Sequence, residues 1–333
     1  MAIKQKYRCY LCGSAQLHVV RNTVRGDVKR NQYQCDACGL VQLARAERNL
    51  DLHYKNEYRK EYSPVLGKKK SSKEVFDLYL PYQKERIELF KPYLKKKYSI
   101  LDIGASSGHF LAATKPYVKK VSALELNVKD AQFMHDKLGF TVYNDPIEED
   151  KLPKEAFDTI FILETFEHVP DPINFLKHAA RALKKGGHIV IEVPNINDIE
   201  VSLFNSKDFN NFYYREPHLY NYSPKVIQKI VIKAGLSKKE IIYHQFVNVT
   251  THFKTVFGGG LAPSVVDAWG TATLPYYPLN ENQQGGEGIK KISSYEYNKK
   301  AIDVWIQKTD SKYKKLLKQL GIADTLVFVG QKK

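Results

Sequence analysis

Four cysteines stand near the start of the chain as Cys9-x-x-Cys12 and Cys35-x-x-Cys38. Gly13 and Gly39 follow the second cysteine of each pair, so each pair can head a tight turn whose two thiolates grip one ion. Two such turns complete a tetrahedral set, and the spacing points to Zn2+ held by Cys9, Cys12, Cys35 and Cys38. A redox dithiol or plain buried thiols would explain one pair and leave the other without a purpose. With four thiolates and no open position, such an ion would stabilise a small unit and do no chemistry.

A second constellation is Leu101-Asp102-Ile103-Gly104-Ala105-Ser106-Ser107-Gly108, which reads as an apolar strand, a glycine turn and the start of a helix. Such a turn aims backbone N–H groups at a ligand and lets the main chain approach it closely. Asp102-x-Gly104-x-x-x-Gly108 departs from the dinucleotide pattern Gly-x-Gly-x-x-Gly. At the end of the next strand, Glu125 can accept both hydroxyls of a ribose. A third stretch, Tyr213-Tyr214-Arg215-Glu216-Pro217-His218-Leu219-Tyr220-Asn221-Tyr222-Ser223, is dense in groups that bind and deprotonate hydroxyls. His218, with an ordinary pKa of about 6.5, is its best single base, assisted by Glu216 or Tyr222. The plain alternative is a histidine beside the cap of the next helix. His168, in Glu167-His168, is a further candidate for which a structural role is as strong an expectation as catalysis.

The elements that must position these groups alternate strand and helix. Ser99–Ile103, Val121–Leu126, Thr141–Tyr143, Phe157–Leu163 and His188–Val193 read as strands, and Val128–Leu138 and Ile173–Leu183 as helices, the latter closed by Lys184-Lys185-Gly186-Gly187. That is the βαβ signature of an α/β fold with a doubly wound sheet. Ahead of it, Lys73–Tyr93 fits a helix interrupted near Pro81, and Leu17–Val20 and Gln32–Gln34 have strand composition. After Ser223-Pro224, the residues Val226, Ile227, Ile230, Val231 and Ala234 make one helix face that ends at Gly235. Residues 256–291 read as a long loop, Ser293-x-x-Glu296 as a capping box for a basic amphipathic stretch from Tyr295 to Leu320, and Thr325–Gly330 as a final strand. The expected division is a zinc ribbon over 1–45, a linker and first helices over 46–95, a cofactor-binding core over 96–255, and a substrate lid loop, amphipathic helix and closing strand over 256–333.

Leu101-Asp102-Ile103-Gly104-x-x-x-Gly108, Glu125, Asn144-Asp145, Phe157-Asp158-Thr159-Ile160, Glu167-His168-Val169-x-Asp171-Pro172 and Leu183-Lys184-x-Gly186-Gly187 occur in that order. In these pieces the chain resembles the class I S-adenosylmethionine-dependent methyltransferases. The resemblance implies a seven-stranded, mostly parallel sheet and methyl transfer from S-adenosyl-L-methionine. It also implies a cofactor set: Asp102 and Gly104 at the methionine end, Asp145, Pro146 and Ile147 at the adenine, and Leu163, Glu164 and Thr165 at the mouth near the sulfonium, with Ala105, Gly108, Glu125 and Leu126 completing the cofactor-binding residues.

Together with Cys38-Gly39-Leu40-Val41-Gln42-Leu43, Tyr58, Tyr62, His218-Leu219 and Tyr222-Ser223, the chain is similar to the zinc-ribbon methyltransferases of deoxysugar and surface-polysaccharide biosynthesis, including nucleotide-sugar C-methyltransferases. This implies a sugar or nucleotide-sugar acceptor. Pro217 separates Glu216 from His218 where that family has Glu-His, and the large extra C-terminal domain of the carbon-methylating members is not expected, so oxygen and carbon acceptors both stay open. The alternative reading is an RNA-modifying methyltransferase that uses a basic zinc ribbon. Against it, Leu163-Glu164-Thr165-Phe166 lacks the Asn/Asp-Pro-Pro-aromatic stretch that grips an exocyclic amine.

Net charge is +16, and nucleic acid is the first partner such a surplus suggests. The surplus lies outside residues 98–288, however, and runs such as Lys68-Lys69-Lys70 and Lys95-Lys96-Lys97 read as solvated faces. The 22 tyrosines are spread along the whole chain rather than interleaved with a basic patch. No apolar run approaches the roughly 18 residues of a membrane span, and the first residues do not resemble a secretory signal. A cytoplasmic protein with no membrane partner is expected, and its oligomeric state is left open.

Overall fold

The computed structural model describes residues 7–44, 70–205, 207–249, 252 and 308–333. It divides into two compact units: Met1–Ile196 with Asn211–Ile242 and Thr325–Lys333, and Asn197–Asn210 with Tyr243–Asp324.

The first unit opens with three antiparallel strands, β1 (Leu17–Val24), β2 (Val28–Cys35) and β3 (Val41–Leu43). Next come helices α1 (Ser72–Tyr79) and α2 (Gln83–Phe90). Ser71 and Glu74 form a full capping box at the start of α1, which offsets two of its orphan N–H groups. Pro81 lies in a 3-10 turn, Leu80–Tyr82, between the two helices, because its ring cannot continue the hydrogen-bond ladder.

The large sheet follows as β4 (Ser99–Ile103), β5 (Lys120–Leu124), β6 (Thr141–Tyr143), β7 (Phe157–Leu163) and β8 (Leu183–Pro194). Between them run α3 (His109–Thr114), α4 (Val128–Leu138) and α5 (Pro172–Ala182). Later come α6 (Ile199–Ser202), α7 (Lys207–Tyr213), β9 (Tyr220–Asn221), α8 (Pro224–Lys233), β10 (Ser237–His244) and β11 (Thr325–Gln331). The strand order is β10-β11-β8-β7-β4-β5-β6. β4 pairs parallel with β5 and β7, while β11 runs antiparallel to β8. The expected seven-stranded, mostly parallel sheet is present. Ile100, Leu101 and Ile103 of β4 are buried, as a strand covered on both faces requires. Phe161 of β7 meets Phe110 at 5.0 Å and Phe90 at 5.5 Å between ring centroids, which ties α2 and α3 to the sheet.

From β4 the chain steps outward to β5 and β6, then returns to β7 on the other side of β4. The crevice beyond the ends of β4 and β7 is therefore a topological switch point, the place where open α/β sheets bind ligands.

Three local differences from the sequence reading have physical causes. The second strand stops at Leu124 and leaves Glu125 just beyond it. Lys184-Lys185-Gly186-Gly187 does not close a helix: α5 ends at Ala182 and β8 already begins at Leu183. There Gly186 takes φ +73°, and Gly187 lies so close to the Lys184 and Asp158 carbonyls that a Cβ would stand 2.9 and 3.1 Å from them. β10 gave no alternating signal, because its first residues, Ser237-Lys238-Lys239-Glu240, lie at the sheet edge and bury little.

β9 joins β3 instead of the large sheet, with Val41 opposite Asn221 and Gln42 opposite Tyr220. The small sheet thus has the order β1-β2-β3-β9. The second unit has its own small core of Ile199, Leu317 and Ala323, packed by Tyr243, Tyr313 and Ile322. In it the helix over 308–320 ends at Gly321, φ +71°. The expected linker around Tyr58 and Tyr62, the loop 256–291 and the Ser293/Glu296 cap lie outside the described residues. Among the described residues no helix is long and apolar enough to cross a membrane.

Candidate functional site

The four cysteines come together. Cys9 Sγ lies 3.4 Å from Cys38 Sγ and Cys12 Sγ 3.5 Å from Cys35 Sγ, and all four sulfurs lie within 4.8 Å of one another. A tetrahedral zinc with bonds of about 2.3 Å sets its sulfurs roughly 3.8 Å apart, so the set is compatible with that ion. Each turn closes on its glycine: Gly13 N–H donates to Cys9 O and Gly39 N–H to Cys35 O, both at 2.8 Å.

At the switch point, Gly104 takes φ +79° and packs so closely on Thr165 that a Cβ there would overlap its side chain. Gly108 has the same φ and abuts Met134. Ala105 is buried and Ser106 turns through φ +53°. Glu125, half-buried, accepts from Ser106 N–H through Oε2 and from Asn127 N–H through Oε1, each at 2.7 Å. These bonds fix the carboxylate against the glycine turn. Asp102 is 3 % exposed and its Oδ1 has no hydrogen-bond partner. Burial pushes its carboxyl up to about 8, against the lowering pull of Arg86. An orphaned, buried oxygen at a glycine cradle is what a cationic ligand group would satisfy.

The remaining members of the expected cofactor set stand at or just beyond the ends of β5, β6 and β7. Leu126, Pro146 and Leu163 are half-buried and Ile147 is buried. Asp145 forms an ion pair with the exposed Lys151 at 2.9 Å. Glu164, at φ +49°, donates its N–H to Glu192 O. Burial, then Glu167 and Glu192, raise its carboxyl well above the ordinary value.

Beyond β7 the structure brings Glu167, His168 and His218 together. His168 Nε2 and His218 Nε2 each lie 3.8 Å from the same oxygen, Glu167 Oε1. The His168 Nδ1 sits 2.8 Å from Pro217 O, a carbonyl that can only accept, so Nδ1 carries the hydrogen and Nε2 the lone pair. Glu167 is 2 % exposed and neither of its oxygens has a hydrogen-bond partner. Burial raises its carboxyl to about 8, while its own backbone N–H and Arg215 pull the other way. His218 is 1 % exposed, and burial followed by Arg215, His168 and Arg25 holds it well below its ordinary value. The three side chains offer ligand atoms within 4.8 Å of one another, but the buried Arg215 already supplies positive charge beside them, which disfavours a cation.

The two expected assistants of His218 have other partners. Glu216 pairs with Arg30 of β2 at 3.0 Å. The carboxylate at His218 is Glu167, to which the sequence reading gave no role of its own. Tyr222 is fully buried, stacks on Phe166 and donates its hydroxyl to Phe166 O at 3.4 Å. Burial raises its phenol well above the ordinary value, which suits packing better than proton transfer. A second group the sequence did not signal is the buried pair of Arg86 and Glu192, joined at 2.6 and 3.0 Å.

Residues 53–240 match the family described as the methyltransferase domain. The ubiquinone biosynthesis O-methyltransferase of Paramagnetospirillum magneticum is 37% identical over 93 residues, covering 27% of this chain and 37% of that protein. That of Pseudomonas fluorescens is 26% identical over 176 residues, covering 50% of this chain and 73% of that protein. The chain spans well under half the length of the first of these relatives. A methyltransferase structure from Archaeoglobus fulgidus, described as S-adenosylmethionine-dependent, superposes with a TM-score of 0.48 at 19% identity, over 83% of this chain and 100% of that one. The sugar acceptor expected from the sequence finds no support in the relatives' names, which are those of O-methyltransferases. A family match over more than half of the residues, on a sheet with this switch point, makes the chain a member of the methyltransferase domain family.

Proposed function

We propose that the protein transfers a methyl group to a hydroxyl oxygen of a small acceptor, with His218 as the base that takes the hydroxyl proton. The observation that carries this reading is the pair of imidazole nitrogens, His168 Nε2 and His218 Nε2, set 3.8 Å from one buried carboxylate oxygen of Glu167. The names of the relatives favour oxygen over carbon. A sugar hydroxyl and a phenol are both hydroxyl acceptors that a histidine base could serve.

When bound at the switch point, S-adenosylmethionine supplies an electrophilic methyl group. Glu125 would accept from its ribose hydroxyls, and Asp102 from its ammonium. Gly104 would let the main chain come close, while Asp145, Pro146 and Ile147 would hold the adenine end. His218, held well below its ordinary pKa by burial, is neutral at pH 7 and would serve as the proton acceptor. As the oxygen attacks in line, the proton passes to His218, and ionised Glu167 stabilises the imidazolium that forms. His168, fixed by Pro217 O, braces the ring of His218 and hands it no proton. Cys9, Cys12, Cys35 and Cys38 hold a structural zinc in this reading.

The test is methyl incorporation into a panel of phenols, catechols and sugar nucleotides, together with calorimetric binding of S-adenosylmethionine. His218→Ala should lower turnover at least about tenfold while cofactor affinity holds. Unchanged turnover would remove His218 from the mechanism. Steeply salt-dependent binding and methylation of RNA would instead favour a nucleic-acid acceptor.

A further inference from the structure

The strands that follow the two cysteine turns do not end in a free surface. They run into the stretch that carries His218. β3 pairs with β9, and Leu43 N–H donates to Leu219 O at 2.9 Å. Arg25 N–H donates to Tyr214 O at 2.7 Å. The Arg25 guanidinium donates through Nε and Nη2 to Phe212 O at 3.1 and 2.6 Å and lies 4.1 Å over the Phe212 ring. Arg30 pairs with Glu216, and Arg21 bonds to Asn211.

The first cysteine turn is anchored in its own right. Tyr10, between Cys9 and Cys12, donates its hydroxyl to Asp171, the N-cap of α5, and accepts from Ile173 N–H at 3.1 Å. Lys233 of α8 donates to Leu11 O at 2.8 Å. Tyr10 N–H also donates to Gln42 Oε1, and Gln42 Nε2 to Arg8 O, both at 3.0 Å. Gln42 is the β3 residue opposite Tyr220. A continuous path therefore leads from the cysteine turn through Gln42 to β9, two residues after His218. The small sheet has a thin core and leaves Val19, Val20 and Val28 exposed, and units of this kind commonly depend on their metal to stay folded.

We propose that the four-cysteine module is a positioning part of the active site: with its metal in place it holds residues 211–222, and through them His218, against the loop after β7. Arg25 and Gln42 are its main positioning residues. The idea rests on the proposed role of His218, but its test does not depend on catalysis.

The experiment uses the full chain, zinc-loaded and after zinc is stripped with a thiol reagent and chelator, and reads amide hydrogen exchange together with the histidine carbon resonances. The His218 signal is assigned by its loss in His218→Gln. Zinc removal should speed exchange at Tyr220 and Asn221 at least about tenfold and move the His218 signal. The amides of β4 and β5 and the affinity for S-adenosylmethionine should stay within about threefold. Unchanged protection at Tyr220 and Asn221 would overturn the proposal, and so would a general loosening in which β4 opens and cofactor affinity collapses. Arg25→Ala keeps all four cysteines and serves where stripping unfolds the chain. It should loosen Phe212–Glu216 and shift the His218 signal, with partial rescue in Arg25→Lys, and wild-type behaviour in Arg25→Ala would equally overturn it. Loss of methyl transfer in His218→Ala together with unaltered exchange on zinc removal would retain the base and discard the positioning role.

Discussion

The rings of His168 and His218 meet edge to face at 78°, with centroids 4.9 Å apart, although they belong to separate loops. His168 is fixed by Pro217 O and His218 is buried, so in the proposed mechanism the first would act on chemistry through the second. His168→Asn keeps a donor for Pro217 O but loses the brace. It should cut turnover about three- to tenfold with cofactor affinity unchanged. The double variant His168→Asn/His218→Ala should be no slower than His218→Ala alone, because residues that act as one unit are not additive. A further multiplicative loss would show that His168 contributes separately.

The pH profile should carry the signature of Glu167. A histidine with its ordinary pKa would give a rising limb near 6.5. Here burial holds His218 well below that value, so its own limb does not fall at 6.5. The Glu167 carboxyl titrates at about 8, and only its ionised form can stabilise an imidazolium. Turnover at saturating cofactor should therefore rise with pH up to about 8 and then level off, and Glu167→Gln should flatten that limb. A limb at 6.5 that survives in Glu167→Gln would contradict the arrangement.

Much of this frame was legible from residue order. β4 and its glycine turn stood out because a strand buried on both faces is a contiguous apolar run, and because Gly104 and Gly108 occupy left-handed backbone that other residues resist. The cysteine set was legible because metal geometry constrains local spacing. What escaped reading depends on distant partners. β9 is two residues long, and its pairing is dictated by β3 rather than by its own pattern. That Glu167, rather than Glu216, stands buried beside two histidines is something no local spacing encodes. Arg86 and Glu192 lie 106 positions apart, and neither announces the other.

Binding of the cofactor should release a proton near neutral pH. Asp102 is buried and titrates at about 8 in the ligand-free protein. An ammonium beside it favours the ionised form, so its pKa falls on binding. Below pH 8 each bound cofactor should therefore displace up to one proton, and affinity should rise by as much as about tenfold per pH unit towards 8. Above that, loss of the ligand's own α-amino proton, near 7.7–8.0, turns the trend downward. Calorimetry at pH 7 in two buffers of different ionisation enthalpy reads the proton directly, and equal heats in both would refute the assignment. The same raised value means that the ligand-free chain loses stability as pH climbs from about 4, where the unfolded carboxyl ionises, to about 8. Asp102→Asn should then raise the melting temperature at pH 8 by a few degrees while weakening the cofactor.

Arg86 should prove essential to stability through the charge it neutralises. Glu192 is fully buried and Arg86 nearly so, and the guanidinium bonds its carboxylate with Nε and Nη2. Removing the arginine strands a carboxylate in the core of β8, a class of change that costs about 3–5 kcal/mol. Arg86→Ala should therefore unfold at markedly lower denaturant than the parent. The deficit should shrink as pH is lowered, since a partnerless buried carboxyl can take up a proton and become neutral. Arg86→Met/Glu192→Gln removes both charges and keeps most of the volume, so it should recover much of the loss. Denaturant melts of the three proteins at pH 5.5 and 8 separate the possibilities: equal deficits for Arg86→Ala at both pH values would mean that lost packing around the arginine stem, not the stranded charge, sets the cost.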